Sequence, residues 1–345
     1  MRSFEQFLQD YGVRNLCEAQ VDNTVQNDEQ PRLRRVEHIV LIGEKRYRSM
    51  RKQNIKLSYA DPTKLEYTIS HGKINVNDGE YKFSLTYTDC ENTIVIVRSG
   101  YKNPVVSFLL KEIENFGITV LNNPEQVAVS NNKYLTALLL DKYNIPQPKY
   151  TMVTKSDISK DDHSKLDKKL KSIYKQANDE SKYVCKILNG HGGKGVFVCT
   201  GSNILSVLQT LFAIDEKTNI LVQEFLEIKD GDVRVNVLTL NGKQEILDVT
   251  MRSKDTEDFR TNLSLGNSTK EYELTSEQED LVKLAAEASG LVWAGVDLLP
   301  LSNGKNVIIE INGAPGTPNE INNDNLEQAN FEFFKKFIDV MNSLC

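Results

Sequence analysis

Two short segments constrain this chain more than anything else in it: Ala294-Gly295-Val296-Asp297-Leu298-Leu299 and Ile308-Ile309-Glu310-Ile311-Asn312-Gly313. Both are apolar, β-prone runs of strand length, so residues 294–299 and 306–311 read as buried strands. A buried strand carries a carboxylate only with a partner, because an unpaired one costs several kcal/mol. Here Asp297, Glu310 and Asn312 supply three oxygen-bearing side chains. Glu310 and Asn312 alternate along the strand and therefore point to one face. All-oxygen donors suit a hard cation, and Mg²⁺ is commonly held by one or two carboxylates together with nucleotide phosphates. The competing reading is three solvated strand-end residues, which the rest of the chain has to argue against.

At 345 residues the chain has room for two or three domains. Hydrophobic content of 39% and charged content of 26% are those of an ordinary soluble protein. A formal net charge of −6 argues against bulk attraction to nucleic acid or anionic lipid. The local basic run Glu44 to Lys52 reads as a solvated face. Five scattered cysteines (Cys17, Cys90, Cys185, Cys199, Cys345) without CxxC spacing fit free thiols in a reducing compartment and offer no zinc site. There is no apolar stretch of membrane-spanning length and no signal-peptide pattern at MRSFEQFLQDYG, so a cytoplasmic protein is expected.

Phe4, Phe7, Leu8 and Tyr11 mark a short amphipathic helix, and Val21 to Pro31 reads as a linker. His38 to Gly43, Thr93 to Arg98 and Ile118 to Leu121 are buried strands, with a helix over 104–116 between the last two, the β–α–β order of a small parallel sheet. Between them, segments such as Tyr81 to Tyr87, separated by His71-Gly72 and Asp78-Gly79, predict hairpins. A helix over 130–143 leads through Pro146 and Pro148 into a strand-rich region with strands at 183–188, 195–199, 220–226, 233–240 and 244–251. Asn241-Gly242 turns the last pair. Further helices are predicted at 162–177, 276–290 and 326–343.

Lys186 lies inside the apolar run Tyr183 to Leu188 and needs an anionic partner to keep its charge. Directly after it, Asn189 to Val196 holds four glycines, whose backbone N–H groups can approach phosphate oxygens. The loop lacks the GxxxxGK[ST] spacing, so it is not a Walker A loop. Leu221 to Glu227 is a strand ending in acidic residues that could read an adenine edge and ribose hydroxyls. Each of these polar residues alone would be read as surface; only together do they mark a site.

In order, Lys186, the Gly-rich loop, Gln223-Glu224-Phe225-Leu226, Asp232-Val233-Arg234, Phe259-Arg260-Thr261-Asn262, Ala294-Gly295-Val296-Asp297 and Glu310 to Gly316 resemble the ATP-grasp superfamily. Within it the chain most resembles the RimK-type ligases, which attach glutamate to the carboxyl end of a ribosomal protein, and their amino-acid-ligase (alpha-L-glutamate ligase-like) relatives. Val97 to Gly100, Asn122-Asn123-Pro124 and Asn132 to Leu135 extend the likeness upstream, so that it covers about residues 93–342. The resemblance implies an α/β (α+β) chain with the ATP-grasp fold: a small N-terminal parallel α/β domain followed by two α+β subdomains that sandwich ATP. The implied divisions are an N-terminal extension over 1–35, the first domain over 36–124, a central subdomain over 125–218 and a C-terminal subdomain over 219–345.

By position, the resemblance implies that Lys133 and Lys186 meet ATP phosphates beside Gly192, Gly193 and Lys194. Gln223, Glu224, Phe225, Leu226 and Asp232 would hold adenine and ribose, and Arg260, Thr261 and Asn262 would reach the polyphosphate side. Asp297, Glu310 and Asn312 would bind two Mg²⁺ or Mn²⁺ ions. Lys186, Arg252 and Arg260 are the expected catalytic groups, and Arg98 and Arg252 the expected forks for acidic substrates; a capping or inter-domain salt bridge is the other reading of Arg98. Lys194 departs from the neutral residue expected there, and the segment from Asp232 to Arg260 is slightly long.

The implied reaction is ATP-dependent, ADP-forming joining of a carboxylate to an amine through an acylphosphate, adding a glutamate-like amino acid to a peptide or protein carboxyl end. A ligase for a small metabolite, a carrier protein or peptide macrocyclisation is the nearest alternative. A nucleotide-binding regulatory protein without turnover is the alternative from another class. The partners expected are an amino acid and a peptide or protein acceptor, with neither membrane nor nucleic acid; a homo-oligomer is left open.

Overall fold

The computed structural model describes residues 32–43, 55–158, 163–189, 195–228, 230–253, 268–316 and 326–345, with side chains of the last segment from 331. The expected helix over 3–13, the linker from Val21 to Pro31 and the basic run of 44–52 lie outside them.

The first apolar run forms β1 (His38–Ile42), buried throughout, and pairs in parallel with β2 (Lys56–Ala60). The hairpin signals then give β3 (Glu66–Ser70), β4 (Lys73–Asn77) and β5 (Lys82–Thr86), an antiparallel sheet of its own. β6 (Thr93–Val97), α1 (Pro104–Asn115) and β7 (Thr119–Leu121) complete a parallel sheet of order β2-β1-β6-β7. The expected parallel α/β unit is therefore present. α1 starts where Asn103 caps Val105 N–H and Pro104 needs no donor of its own.

A short helix outside the expected ranges, α2 (Pro124–Ser130), precedes the helix expected over 130–143, which is α3 (Lys133–Lys142). The Asn132 side chain accepts from the N–H groups of Tyr134 and Leu135, so it caps a new helix instead of continuing the old one.

β8 (Tyr150–Val153), α4 (Ser164–Ile173), β9 (Lys182–Ile187), β10 (Val196–Thr200), α5 (Ile204–Ile214) and β11 (Ile220–Glu224) follow. Their strands form an antiparallel sheet of order β10-β9-β11-β8. Tyr183, Cys185, Ile220 and Val222 face one way, onto Leu166 and Leu170 of α4 and Leu208 and Phe212 of α5. By the period of two, Val184, Lys186, Leu221 and Gln223 face the other way. That face, turned away from α4 and α5, is one wall of a cleft, with Leu221 and Gln223 themselves enclosed.

The remaining elements are β12 (Gly231–Leu240), β13 (Lys243–Ser253), β14 (Thr269–Glu271), α6 (Ser276–Ser289), β15 (Trp293–Pro300), β16 (Asn306–Asn312) and α7 (Leu326–Leu344). They give an antiparallel sheet of order β14-β13-β12-β15-β16. Asn241 and Gly242 both take positive φ (+53° and +73°), as a two-residue hairpin turn needs. Val233, Val235, Val237, Val296, Leu298, Ile308 and Ile311 pack on Val282, Ala285 and Ala286 of α6.

The last helix does not belong to that core. Phe333, Phe334, Phe337, Ile338 and Met341 of α7 join Ile39, Leu41, Ile94 and Ile96 of the parallel sheet to Leu238, Leu247 and Trp293 of the five-stranded one. α7 thus fastens the first sheet to the sheet bearing Asp297. Among the described residues no helix is long and apolar enough to cross a membrane.

Phe334 is completely buried in this junction. Phe334→Ala is expected to lower unfolding free energy by about 3–5 kcal/mol, the usual cost of emptying a buried phenylalanine site. Urea titration measures this, and a loss below about 1 kcal/mol would remove α7 from its fastening role.

Candidate active site

The five-stranded sheet has a greasy face and a charged one, and β12 shows how. Val233, Val235 and Val237 go to the α6 core, so Asp232, Arg234 and Asn236 must point the opposite way. Pairing sets Asp232 beside Arg252, Arg234 beside Asp297, Asp297 beside Glu310 and Gly295 beside Asn312. All the candidate oxygen donors therefore share one face. The register slips between Asp297 and Leu298, leaving Ile309 as an extra residue beside Glu310. A bulge of this kind bends a strand and re-aims its side chains.

Asp232 and Asp297 are only 1% and 3% exposed, and both are held by arginine. Arg234 donates through Nε to Asp297 Oδ1 and through Nη2 to Oδ2 at 2.9 Å. Arg252 donates through Nε to Asp232 Oδ1 at 3.1 Å, and its Nη2 contacts Asp232 Oδ2 and lies 3.0 Å from Asp297 Oδ2. Burial would raise the Asp297 pKa, but Arg234 and then Arg252 outweigh it and bring the group to about 2. Burial likewise works against the charge of Arg252, and the carboxylates of Asp297 and Asp232 overcome it, leaving its pKa above the ordinary arginine value.

Two residues expected at the substrates have partners within the chain. Arg252, expected to fork a substrate carboxylate, already serves two of the chain's own. Asp232, expected at the ribose, is enclosed and satisfied by Arg252. Arg234 was assigned no role from sequence, although its alternation with Asp232 and Asn236 between valines marks it as facing the same way.

Across the cleft stand two lysines. Lys133 Nζ lies 3.7 Å from Glu310 Oε1, and its backbone N–H donates to Leu188 O at 3.1 Å, which ties the start of α3 to the end of β9. Lys186 is half-buried. Burial lowers its pKa to about 8, with Glu310 and Asp297 opposing the shift and Lys133 adding to it. Asn312 is half-buried and donates its amide N–H to Gly295 O at 3.3 Å, which orients the side chain on the sheet face.

The residues expected at the adenine and ribose lie at and just beyond the end of β11. Gln223 is buried, while Glu224, Phe225 and Leu226 are half-buried. Glu224 Oε1 accepts from Lys149 N–H at 2.8 Å, and Phe225 N–H reaches Lys182 O and Tyr174 Oη, each at 3.1 Å. Neither Lys149 nor Tyr174 carried a sequence signal. Arg98, at the exit of β6, sets its guanidinium 5.1 Å from the ring centre of Trp293. That contact joins the first sheet to the five-stranded one. Gly192, Gly193, Lys194, Arg260, Thr261 and Asn262 lie outside the described residues.

Residues 130–330 match the family model of the RimK-like ATP-grasp domain. The chain belongs to the RimK-like ATP-grasp family. A probable alpha-L-glutamate ligase of Legionella pneumophila (strain Corby) is 31% identical over 232 residues, 66% of this chain and 70% of that protein. Among solved structures, D-alanyl-alanine synthetase A from Vibrio cholerae is similar with TM-score 0.59 and 16% identity, covering 90% of this chain and 99% of that one. The ATP-grasp ligase PsnB, complexed with minimal precursor, Mg and ADP, is similar with TM-score 0.60 and 15% identity, covering 87% and 97%. The fold is thus the ATP-grasp fold expected from sequence, and the protein is an ATP-dependent, ADP-forming ligase that joins a carboxylate to an amine.

ATP-grasp ligases use ATP and a divalent metal, and the residues described fit both. Among them no three His, Cys, Asp or Glu side chains cluster. Asp297, Glu310 and Asn312, the residues expected to hold the ion, offer side-chain oxygens on one sheet face, the donor type that suits a hard cation alongside phosphate oxygens.

Arg252→Met is expected to cost about 3–5 kcal/mol of stability, because it strands the enclosed Asp232 carboxylate. Denaturant unfolding of the ligand-free protein checks this. A loss under about 1 kcal/mol would mean that Asp232 does not depend on Arg252.

Proposed function

We propose that this ligase adds glutamate, or a closely similar acidic amino acid, to the carboxyl end of a peptide or protein, through an acylphosphate and with two divalent ions. The observation that carries the reading is the opposition, within one cleft, of Lys133 and Lys186 to Asp297, Glu310 and Asn312. Lysines suit the phosphates of a nucleotide, and oxygen donors suit the cations that accompany it. The glutamate ligase named among the relatives supports the amino acid, and the precursor bound to PsnB supports a peptide acceptor.

A carboxylate is a poor electrophile. Transfer of the γ-phosphoryl group to one of its oxygens releases ADP and makes the acyl carbon attackable. The amine nitrogen then forms the amide bond, the C–O bond to phosphate breaks, and the nitrogen loses a proton. Phosphoryl transfer needs positioning and charge neutralisation more than a covalent helper. Lys133 and Lys186 would bind phosphate oxygens, while Arg234 and Arg252 fix the orientation of Asp297. Bound divalent ions would neutralise the polyphosphate charge at Asp297, Glu310 and Asn312. Glu224, Phe225 and Leu226 would line the base, with Lys149 and Tyr174 holding that strand end in place. Arg98, anchored on Trp293, is the fork proposed for an acidic substrate.

Glu310→Gln and Asn312→Ala are each expected to lower ligation about 100-fold or more with little change in melting temperature, because each alters an oxygen donor and not core volume. ADP release at saturating Mg²⁺ measures this, and near-normal rates in both would remove the metal assignment. The substrate reading is tested by incubating the protein with ATP, each amino acid in turn and a panel of peptides, followed by mass spectrometry. Addition of one glutamate residue to a peptide carboxyl end is the expected product. Turnover only with small metabolites would replace the peptide reading.

A further inference from the structure

One side chain from outside the cleft is wired into the backbone next to it. Asn122 follows β7 at the edge of the parallel sheet and is 1% exposed. Its Oδ1 accepts from Trp293 N–H at 2.9 Å, and its Nδ2 donates to Trp293 O at 2.6 Å and to Gly313 O at 2.7 Å. The two bonds with Trp293 form the reciprocal N–H and C=O pair that a strand residue makes with its neighbour. The third reaches the chain just beyond β16.

This matters because of where the β15–β16 ladder stops. Its last pair toward this end is Gly295 with Asn312. Beyond it the chains separate, and the Asn122 amide spans the gap between Trp293 and Gly313 as an extra rung. The opposite side of the same turn is pressed on α2: a Cβ at Gly313 would lie 2.7 Å from Ser130 Oγ and 2.9 Å from Val127 Cγ2. Asn122 is itself fixed, its N–H bonding Tyr101 Oη at 3.0 Å and its C=O accepting from the same hydroxyl at 3.2 Å. Asn312, one of the three oxygen donors, is the residue immediately before the clamped carbonyl.

We infer that Asn122 is a positioning residue for the metal site, its amide closing the end of the β15–β16 ladder and thereby setting where the Asn312 side chain stands. This rests on the proposed role of Asn312 as a metal ligand. The first sheet is then more than a platform for substrate: through one amide it fixes the geometry of a donor on another sheet. An amide is the required group, since two donors and one acceptor are needed on one short side chain in a buried place.

The test is Mn²⁺ binding to the full chain in the presence of ADP, followed by electron paramagnetic resonance, with melting temperature recorded for every variant. Asn312→Ala, removing the proposed ligand, is expected to weaken Mn²⁺ affinity more than about 10-fold. Asn122→Ala is expected to weaken it about 10-fold, in the range for outer-shell partners of a metal site. Trp293→Phe is the control: it removes the indole N–H bond to Asn236 at 3.1 Å but keeps the backbone groups that Asn122 holds. It is expected to lower the melting temperature and leave Mn²⁺ affinity unchanged. Should Asn122→Ala not fold, Asn122→Ser, which retains one donor, is measured in its place with the same expectation. Mn²⁺ affinity within twofold of the unaltered protein in the Asn122 variant, with Asn312→Ala weakened, would overturn the inference alone. Unchanged affinity in Asn312→Ala would overturn the metal assignment and the inference with it. An equal loss in Trp293→Phe would reduce Asn122 to general support of the junction.

Discussion

A carboxylate placed on a central strand has to be held by something, and in this ligase Asp297 is held by two arginines on the same sheet face. Arg234 takes it from the neighbouring strand, and Arg252, one strand further, links it to Asp232. The four charges form a closed set in which each buried carboxylate has a guanidinium. Without the arginines, burial would drive Asp297 toward its neutral form and the sheet face would lose its charge. The greasy side of the same strands can then pack on α6 without competing demands. The alternation of valine with Asp232, Arg234 and Asn236 along β12 builds both faces at once.

The cleft exists because the four-stranded antiparallel sheet and the five-stranded one each have one face committed to helices. The four-stranded sheet buries Tyr183, Cys185, Ile220 and Val222 beneath α4 and α5 and leaves Lys186 on the other side. The five-stranded sheet buries its valines beneath α6 and leaves its oxygen donors on the other side. Lys186 therefore comes from one wall, and the side chains of Asp297, Glu310 and Asn312 from the other. α7 and the Arg98–Trp293 stack hold the parallel sheet against the second wall.

Much of this was legible in the chain. Period-two alternation predicted that Glu310 and Asn312 share a face, and the structure agrees, with Asp297 opposite Glu310. Hairpin chemistry located the turn at Asn241-Gly242, and the parallel unit followed from its apolar runs. What failed did so for physical reasons. α5 went unread because Ile204 to Ile214 is apolar nearly all round, with only Ser206, Gln209 and Thr210 to mark a polar side. α2 went unread because it is only seven residues long, and the Asn123-Pro124 that opens it also reads as a turn. The partners of Arg252 could not be inferred, since a buried arginine and a substrate-binding arginine look alike until strand register sets Asp232 beside one of them. Asn122 and Trp293 are separated by 171 positions, and no local pattern foretells a side chain standing in for a strand.

The contact between Lys133 and Glu310 has a thermodynamic consequence. Ligand-free, the two opposite charges act as placeholders for each other across the cleft, so neither wall waits with a bare ion. On the proposed reading, Lys133 is destined for phosphate and Glu310 for a cation. An anion arriving alone would take Lys133 and leave Glu310 without its partner; a cation arriving alone would do the reverse. A nucleotide carrying its own metal replaces both halves of the pair in one event. The two binding free energies are thereby linked, each ligand raising the affinity for the other by the same factor. On that reading the site would discriminate in favour of the complexed nucleotide over either component before any catalytic group is engaged.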